Sequence, residues 1–469
     1  MDNQINPSEI KEELHGVNLS EIKEELHGVN LSEIKEEFHG VKEKKMKNTN
    51  LVLGIMLIML LALSTGLMAQ TTATAPDGSG TSGDPYLISN LAELSYVCQN
   101  LGDTDYWASG VYLKQDSDID ATQTQYWDDA DDDSDGDLYN DTNDGSNTGN
   151  DEGFSPIGSS SSAKFYGSYD GAGHTIDNLY INRSGTNYIG LFGWTNGTAM
   201  ISNLGVTHVD ITGNHHVGGL VGENKSSTVE NSYSTGSVSG SGYYVGGLVG
   251  ENYSSTVSNS YSTGSVSGSS NVGGLVGKNY LSTVSNSYST GSVSGNSNYV
   301  GGLVGINTKT DHSSTITNSY STGSVSGSSN VGGLVGGNNA TVSNSFWDTE
   351  TSGQSSSEGG TGKTTDEMKT ENFSGWGWTS TWERIGYNYP RLIDNPDQSL
   401  PVEFTSFTAE NKSSGVLLKW STGSEIENVG FILERRDLKI EIGNWEKIAS
   451  YITHKDLQGQ GSVSCGTEY

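Results

Sequence analysis

Cationic side chains, proline and cysteine are all scarce in this chain. The 24 Lys and Arg face 56 Asp and Glu, which gives a formal net charge of −32 over 469 residues. A field of that sign repels phosphate backbones, so it excludes nucleic acid as a partner and disfavours anionic lipid surfaces. The two cysteines, Cys98 and Cys465, form no metal-ligand spacing and no disulfide framework. Hydrophobic residues make up 32% of the chain, low for one large globular core, and there are 7 prolines. What is abundant is glycine, 63 residues, with Ser, Thr and Asn. That mixture suits either disorder or a repetitive β-fold with a thin core, and the regular placement of Val, Leu and Tyr favours the second.

The regularity is a repeat. Gly-Gly-Leu-Val-Gly begins at Gly218, Gly246, Gly273, Gly301 and Gly332, in steps of 28, 27, 28 and 31 residues, with a weaker copy at Gly190-Leu191-Phe192-Gly193. "NSYSTGSVSG" occurs verbatim from Asn231, Asn259, Asn286 and Asn318. Self-similarity at this period means a stacked array. The units contain no helix-forming run, and their Ser, Thr, Val and Tyr with glycine turn signals read as short strands. The fold class is therefore all-β: a β-solenoid of stacked coils, about six of them at about 28 residues each, followed by a partial β-sandwich.

Stacking at about 4.8 Å places like residues over like. Tyr233, Tyr261, Tyr288, Tyr320 and Phe346 should form one column. Asn231, Asn259, Asn286, Asn318 and Asn344 should form a second, buried and joined amide to amide. Asn224, Asn252, Asn279, Asn307 and Asn338 should form a third. In "TVSNSY", Val284, Asn286 and Tyr288 alternate with Ser285 and Ser287, which reads as one strand with period two. The glycine pairs supply either positive φ or close backbone approach at corners, and Gly291 marks a bend or bulge. The longer stretch between Ile306 and Ser314, with Lys309, Asp311 and His312, reads as a loop insertion.

At these residues the chain resembles the GLUG-motif repeats, whose G-L-x-G signature appears here as Gly219-Leu220-Val221-Gly222. The flanks agree: "FSPIGSSSSAKFYGSYDGAGHTIDNLYI" resembles the usual entry coils, and "SFWDTETSGQSSSEGGTGKTTDEM" the usual exit segment. The resemblance spans roughly residues 78–392 and implies a β-solenoid at the cell surface. Such repeats occur in adhesin-like bacterial surface proteins and beside the catalytic part of immunoglobulin A-specific metallopeptidases. Protease activity is not implied, because H-E-x-x-H is absent from the sequence. From Leu400, "LPVEFTSFTAENKSSGVLLKWSTGSEIENVGFILERR" resembles the start of the fibronectin type III-like domain of Bacteroidetes type IX secretion substrates. Strands are expected near 402–407, 416–420, 430–434 and 445–452. About seven strands complete such a sandwich, so residues 399–469 are expected to be a truncated copy, with the sorting domain missing.

At the other end, Lys42, Lys44, Lys45 and Lys47 precede "LVLGIMLIMLLALSTGLMAQ", which reads as a signal peptide over residues 46–69 with Ala69 at the cleavage point. The alternative is a retained signal anchor. Residues 1–45 repeat "SEIKEELHGVNL" with a period of twelve from Ser8, Ser20 and Ser32, and are expected to be upstream sequence ahead of a true start at Met46. The remaining divisions are an entry region over 70–189 with an Asp-rich loop and the first coils, GLUG-type coils over 190–347, and an exit cap over 348–395.

Candidate chemistry is sparse. Gly236-Ser237-Val238-Ser239-Gly240 has Val238 where a nucleophile elbow needs serine, and four copies do not suit a catalyst. "GGTGKTT" has Ser357 where a phosphate loop needs its first glycine, so no nucleotide partner is expected. Asp131, Asp133, Asp135 and Asp137, with Asp141, give the opening of a calcium loop without its closing Glu, which stands against plain solvation of the charge. His215-His216 and His312 look isolated. Glu223 and Glu251 stack in a column that continues as Lys278, Ile306 and Gly337, which reads as surface variation rather than an acid–base pair. Tyr253 and Tyr280 could stack on a sugar, or simply pack a corner. No catalytic residue is assigned, and the chain is expected not to be an enzyme. The expectation is an extracellular or cell-surface protein for adhesion or ligand display, with a glycan or a host or matrix protein as partner. The alternatives are a polysaccharide-acting enzyme on the same scaffold, which a close carboxylate pair would favour, and a structural spacer.

Overall fold

The computed structural model describes residues 73–100, 105–128, 141–142, 152–160, 162–309, 314–384 and 387–393, and the backbone of strands between 403 and 468. The expected signal peptide and the upstream repeat lie outside the described residues.

Each coil must bury one face of every short strand, and it does so by turning three times around a thin core. The result is three parallel sheets. One has nine strands and runs from Tyr86–Ile88 through Tyr112–Gln115, Ser168–Asp170 and Met200–Ser202 to Thr341–Ser343. A second has six, from Phe192–Thr195 to Val335–Asn338. The third carries the long strands Tyr233–Gly246, Ser265–Gly273, Val293–Gly301 and Val325–Gly332. Nine stacked strands make the solenoid longer than the six or so coils read from the motif. The entry region is coiled from Tyr86 onward without the Gly-Gly-Leu-Val-Gly signature. The short helix Leu91–Cys98 sits between the first two strands, its N-terminus capped by the Asn90 side chain, which accepts from the Glu93 N–H at 3.1 Å.

The core is aliphatic and columnar. Leu220, Leu248, Leu275, Leu303 and Leu334 are buried, as are Val221, Val249, Val276, Val304 and Val335 beside them. Each such side chain contributes roughly 1.5–3 kcal/mol of transfer free energy. Val238 faces this core while Ser237 is exposed, so the serines flanking it are wall residues.

The glycine pairs work by close approach. A Cβ on Gly247 would lie 2.2 Å from both Ser262 Oγ and the Gly274 carbonyl. Positive φ is instead carried by Asn203, Asn231, Asn259, Asn286, Asn318 and Asn344, all between 47° and 53°. Asparagine tolerates this left-handed geometry better than other residues with a Cβ. The structure corrects two readings here. The column beginning at Asn231 is linked amide to amide from Asn318 through Asn286 to Asn259, at 3.3 and 3.2 Å, but it is a half-buried corner, exposed at Asn344, and the fully buried amide ladder is Asn224, Asn252, Asn279 and Asn307, which the partly exposed Asn338 ends. Its Nδ2-to-Oδ1 links measure 2.8, 2.9, 2.9 and 3.0 Å. The left-handed corner also ends the period-two alternation in "TVSNSY". Ser287 therefore points inward, and Ser232, Ser260, Ser287, Ser319 and Ser345 form a buried ladder in which each hydroxyl accepts the backbone N–H of the coil before it.

The tyrosine column forms as expected. Tyr233, Tyr261, Tyr288 and Tyr320 stack with ring centroids 4.8, 4.8 and 5.0 Å apart and planes within 7° of parallel. It belongs to a separate apolar cluster, closed by Met368, Phe373, Trp376, Trp382 and Leu392 of the exit segment. In that segment the "GKTT" stretch is structural. Thr361–Lys363 adds a parallel strand to Phe346–Asp348, Thr364 and Glu367 form a capping box on the helix Thr365–Thr370, and Lys363 Nζ pairs with Glu371 at 2.7 Å. Beyond it the pairing turns antiparallel. Glu403–Lys412 pairs with Gly415–Gly430, which also pairs with Gln458–Val463, and Ile432–Arg435 pairs with Glu446–Ser450.

Candidate functional site

Along the six-stranded sheet, residues of successive coils meet in register. Trp194, Glu223, Glu251, Lys278, Ile306 and Gly337 form one row. Beside it runs a row of left-handed corner residues: Tyr188, His216, Tyr244, Asn271, Tyr299 and Asn330, with φ between 51° and 65°. Each precedes an aliphatic residue that pairs with its counterpart in the next coil. A left-handed residue turns its side chain off the strand, and this brings the two rows together.

At the centre of the rows is a cluster that the sequence reading missed. Glu223 and Glu251 are each 6% exposed, so they are not surface variation. His216 is not isolated: its Nδ1 lies 3.1 Å from Glu251 Oε2 and 3.8 Å from Glu223 Oε2. The shorter contact is out of line for a hydrogen bond, and His216 Nδ1 makes none among the described residues. Lys278 Nζ takes the other oxygen of Glu251 at 2.9 Å. The two carboxylates therefore diverge. Burial, followed by the charge of Glu251, pushes Glu223 up to about 6. Glu251 is also penalised by burial, yet its contacts to His216 and Lys278 hold it below the usual range. The period of the array did signal the stacking of Glu223 on Glu251. It gave no sign that a corner residue seven positions before Glu223 would fold back over the pair.

Aromatic rings wall the cluster. Tyr188 lies 4.4 Å from Trp194 and 4.8 Å from His216, and Tyr244 meets His216 edge-on at 5.0 Å. Cations cover the outer rings, with Lys225 over Tyr253 at 4.8 Å and Lys278 over Tyr244 at 4.6 Å. Tyr253 and Tyr280 occupy paired positions, half-buried, with centroids 5.1 Å apart and planes at 43°. They are brought together, but they already carry lysines on their faces. Further along the rows, Gly337 supplies no side chain, and Tyr299, Ile306, Asn330 and Glu358 line a hollow of about 260 Å³. Of the expected calcium ligands, Asp131, Asp133, Asp135 and Asp137 lie outside the described residues. Asp141 begins the short strand Asp141–Thr142, paired with Trp127–Asp128. His312 also lies outside the described residues.

The family model for the GLUG motif matches residues 213–239, 241–267, 268–294 and 296–326. These coils are GLUG-motif repeats. Their boundaries fall near the sharp corners that the left-handed residues make. The chain is similar to halomucin of Haloquadratum walsbyi, at 36% identity over 145 residues, which is 31% of this chain and 1% of that protein. It is also similar to a Gly-rich membrane protein of Evansella cellulosilytica, at 32% identity over 135 residues, covering 29% of this chain and 12% of that one. The chain thus spans a small fraction of the length of these relatives. A crystal structure from Bacteroides ovatus, described as a candidate immunoglobulin A1 protease, matches at 21% identity with a TM-score of 0.47, covering 68% of this chain and 95% of that one.

Proposed function

We propose that this chain is a non-enzymatic, exported surface protein whose solenoid displays fixed rows of side chains to an extracellular ligand. The observation that carries this reading is the register-locked pair of rows on the six-stranded face. Rings, amides and charges repeat there once per coil on a backbone fixed by parallel pairing and buried amide ladders. A rigid row presents several weak contacts at once without ordering cost on binding, which is what adhesion to a repeating polymer requires. The names of the relatives, a halomucin and a membrane protein, support a place at the cell surface. The ligand class we propose is a glycan or a matrix protein, with Tyr253 and Tyr280 as contacts and with calcium held by Asp131, Asp133, Asp135, Asp137 and Asp141. The test is binding of the full chain to glycan and matrix arrays, first with calcium and then with chelator. Retention that Tyr253→Ala with Tyr280→Ala abolishes would support the reading. Absence of binding in both conditions would leave a spacer.

One observation favours a second reading. Glu223 and Glu251 are a close carboxylate pair with divergent proton affinity, the arrangement that sugar hydrolysis uses. Their burial argues against it, because a glycosidic bond must reach both groups. Release of reducing ends from a polysaccharide panel, lost in Glu251→Gln, would establish hydrolysis.

A further inference from the structure

The cluster at His216 has unmet demands that one ion would satisfy together. A buried carboxylate is costly unless it is paired. Glu223 is 6% exposed, its side chain makes no hydrogen bond among the described residues, and its ion-pair contact is His216 Nδ1 at 3.8 Å. His216 Nδ1 is itself buried without a hydrogen-bond partner, yet it stands 3.1 Å from Glu251 Oε2. That contact calls for a positive charge on or between the two atoms, and a metal ion supplies it without the in-line geometry that a proton would need.

We propose that His216 Nδ1 and the carboxylates of Glu223 and Glu251 form a site for one divalent first-row metal ion of the zinc class. One ligand atom from each residue lies within 4.8 Å of the others. Ligands about 2.0–2.2 Å from a tetrahedral ion stand about 3.4 Å apart; the imidazole-to-carboxylate separations of 3.1 and 3.8 Å bracket that value, while the whole set spans up to 4.8 Å, so a carboxylate would rotate inward to close on the ion. One imidazole and two carboxylates suit such an ion, whereas calcium needs six or more oxygens. Lys278 is no obstacle, because it holds Oε1 of Glu251 and leaves Oε2 facing His216. It acts as an outer partner that fixes the orientation of the ligand. Lys164 and Lys225 stand near Glu223, over the Trp194 ring at 4.6 and 5.6 Å, but make no ion pair with it among the described residues, so the carboxylate oxygens facing His216 remain open to the ion. The three ligands come from different parts of two coils, so the ion would tie the corner at His216 to two neighbouring strands. The site does not depend on the adhesion reading.

The test is calorimetric titration of zinc into the full, untagged chain after chelator treatment, compared with Glu223→Gln and His216→Asn. Both substitutions respect the fold. Gln is isosteric and removes a buried charge, and Asn already stands at the equivalent corner positions Asn271 and Asn330. The wild type should bind one zinc ion that each variant binds at least about tenfold more weakly, and zinc should raise the melting temperature of the wild type alone. X-ray absorption of the loaded protein should show an oxygen and nitrogen shell with one imidazole. Equal zinc stoichiometry and affinity in the wild type and in either folded variant would overturn the proposal, since the other histidines and the Asp-rich stretch would then account for all binding.

Discussion

Asn252 and Asn259 belong to one coil and are held by different physics. Asn252 is fully buried, accepts from Asn224 Nδ2 at 2.8 Å and donates to Asn279 Oδ1 at 2.9 Å. Removing it strands polar atoms of both neighbours away from water. Asn259 is half-buried with φ of 48°, and it accepts one bond, from Asn286 Nδ2 at 3.2 Å. Its main contribution is to occupy a left-handed corner. Asn252→Ala should therefore cost about 2–3 kcal/mol. Asn259→Ala should cost about 1–2 kcal/mol, and Asn259→Gly should recover most of that, whereas Asn252→Gly should recover nothing. Denaturant titration of the four variants checks the pattern. Similar losses for Asn259→Ala and Asn259→Gly would mean that the amide link, not the backbone, governs the corner.

At the scale of the coil, the repeat is a nearest-neighbour array, so its stability should be close to a sum of coil and interface contributions. Deleting residues 246–272 joins Val245 to Gly273 and removes one whole turn with every column still in register. That variant should fold, with an unchanged β signal per residue in circular dichroism and a modest loss of melting temperature. Deleting residues 246–259 instead moves buried Leu and Val columns onto corners, and it should yield insoluble protein. Comparable solubility of the two deletions would show that register does not determine the fold. How far the sequence exposed this architecture follows from the same logic. Identical letters at a fixed period reveal which residues stack, so the tyrosine column, the Glu223–Glu251 contact and the inward Val238 could all be read from spacing. Spacing does not reveal where the chain turns. Asn286 breaks the alternation because its backbone is left-handed, and that sent Ser287 inward against the period-two reading. The same cause hid the site: His216 reaches the two glutamates only because its own corner is left-handed. The entry coils carry too little of the motif to be counted from sequence, since their core uses Phe154, Ile157, Phe165 and Tyr169 in place of the Leu and Val columns.

For the whole molecule the open question of any solenoid is its ends, where unpaired strands invite another chain. Here the exit segment answers in two ways. It adds a strand, Thr361–Lys363, to the end of one sheet, and it lays a tryptophan cluster against the tyrosine column. Trp382 is fully buried, with ring centroids 4.4 Å from Trp376, 5.9 Å from Tyr320 and 6.2 Å from Tyr288. The Tyr320 hydroxyl donates to the Pro390 carbonyl at 2.6 Å, and Asp348, also fully buried, accepts from Thr365 and Tyr389 at 2.7 and 2.6 Å. Polar and aromatic anchors thus hold the same segment. Trp382→Ala should loosen this segment at a cost of about 3–5 kcal/mol, while the aliphatic core under the coils stays intact. Two melting steps should then replace one, the first detected by tryptophan fluorescence and the second by circular dichroism. With the tyrosine column uncovered, light scattering should show association that rises with protein concentration. A single unchanged transition with no association would place the protection of the solenoid end elsewhere in the chain.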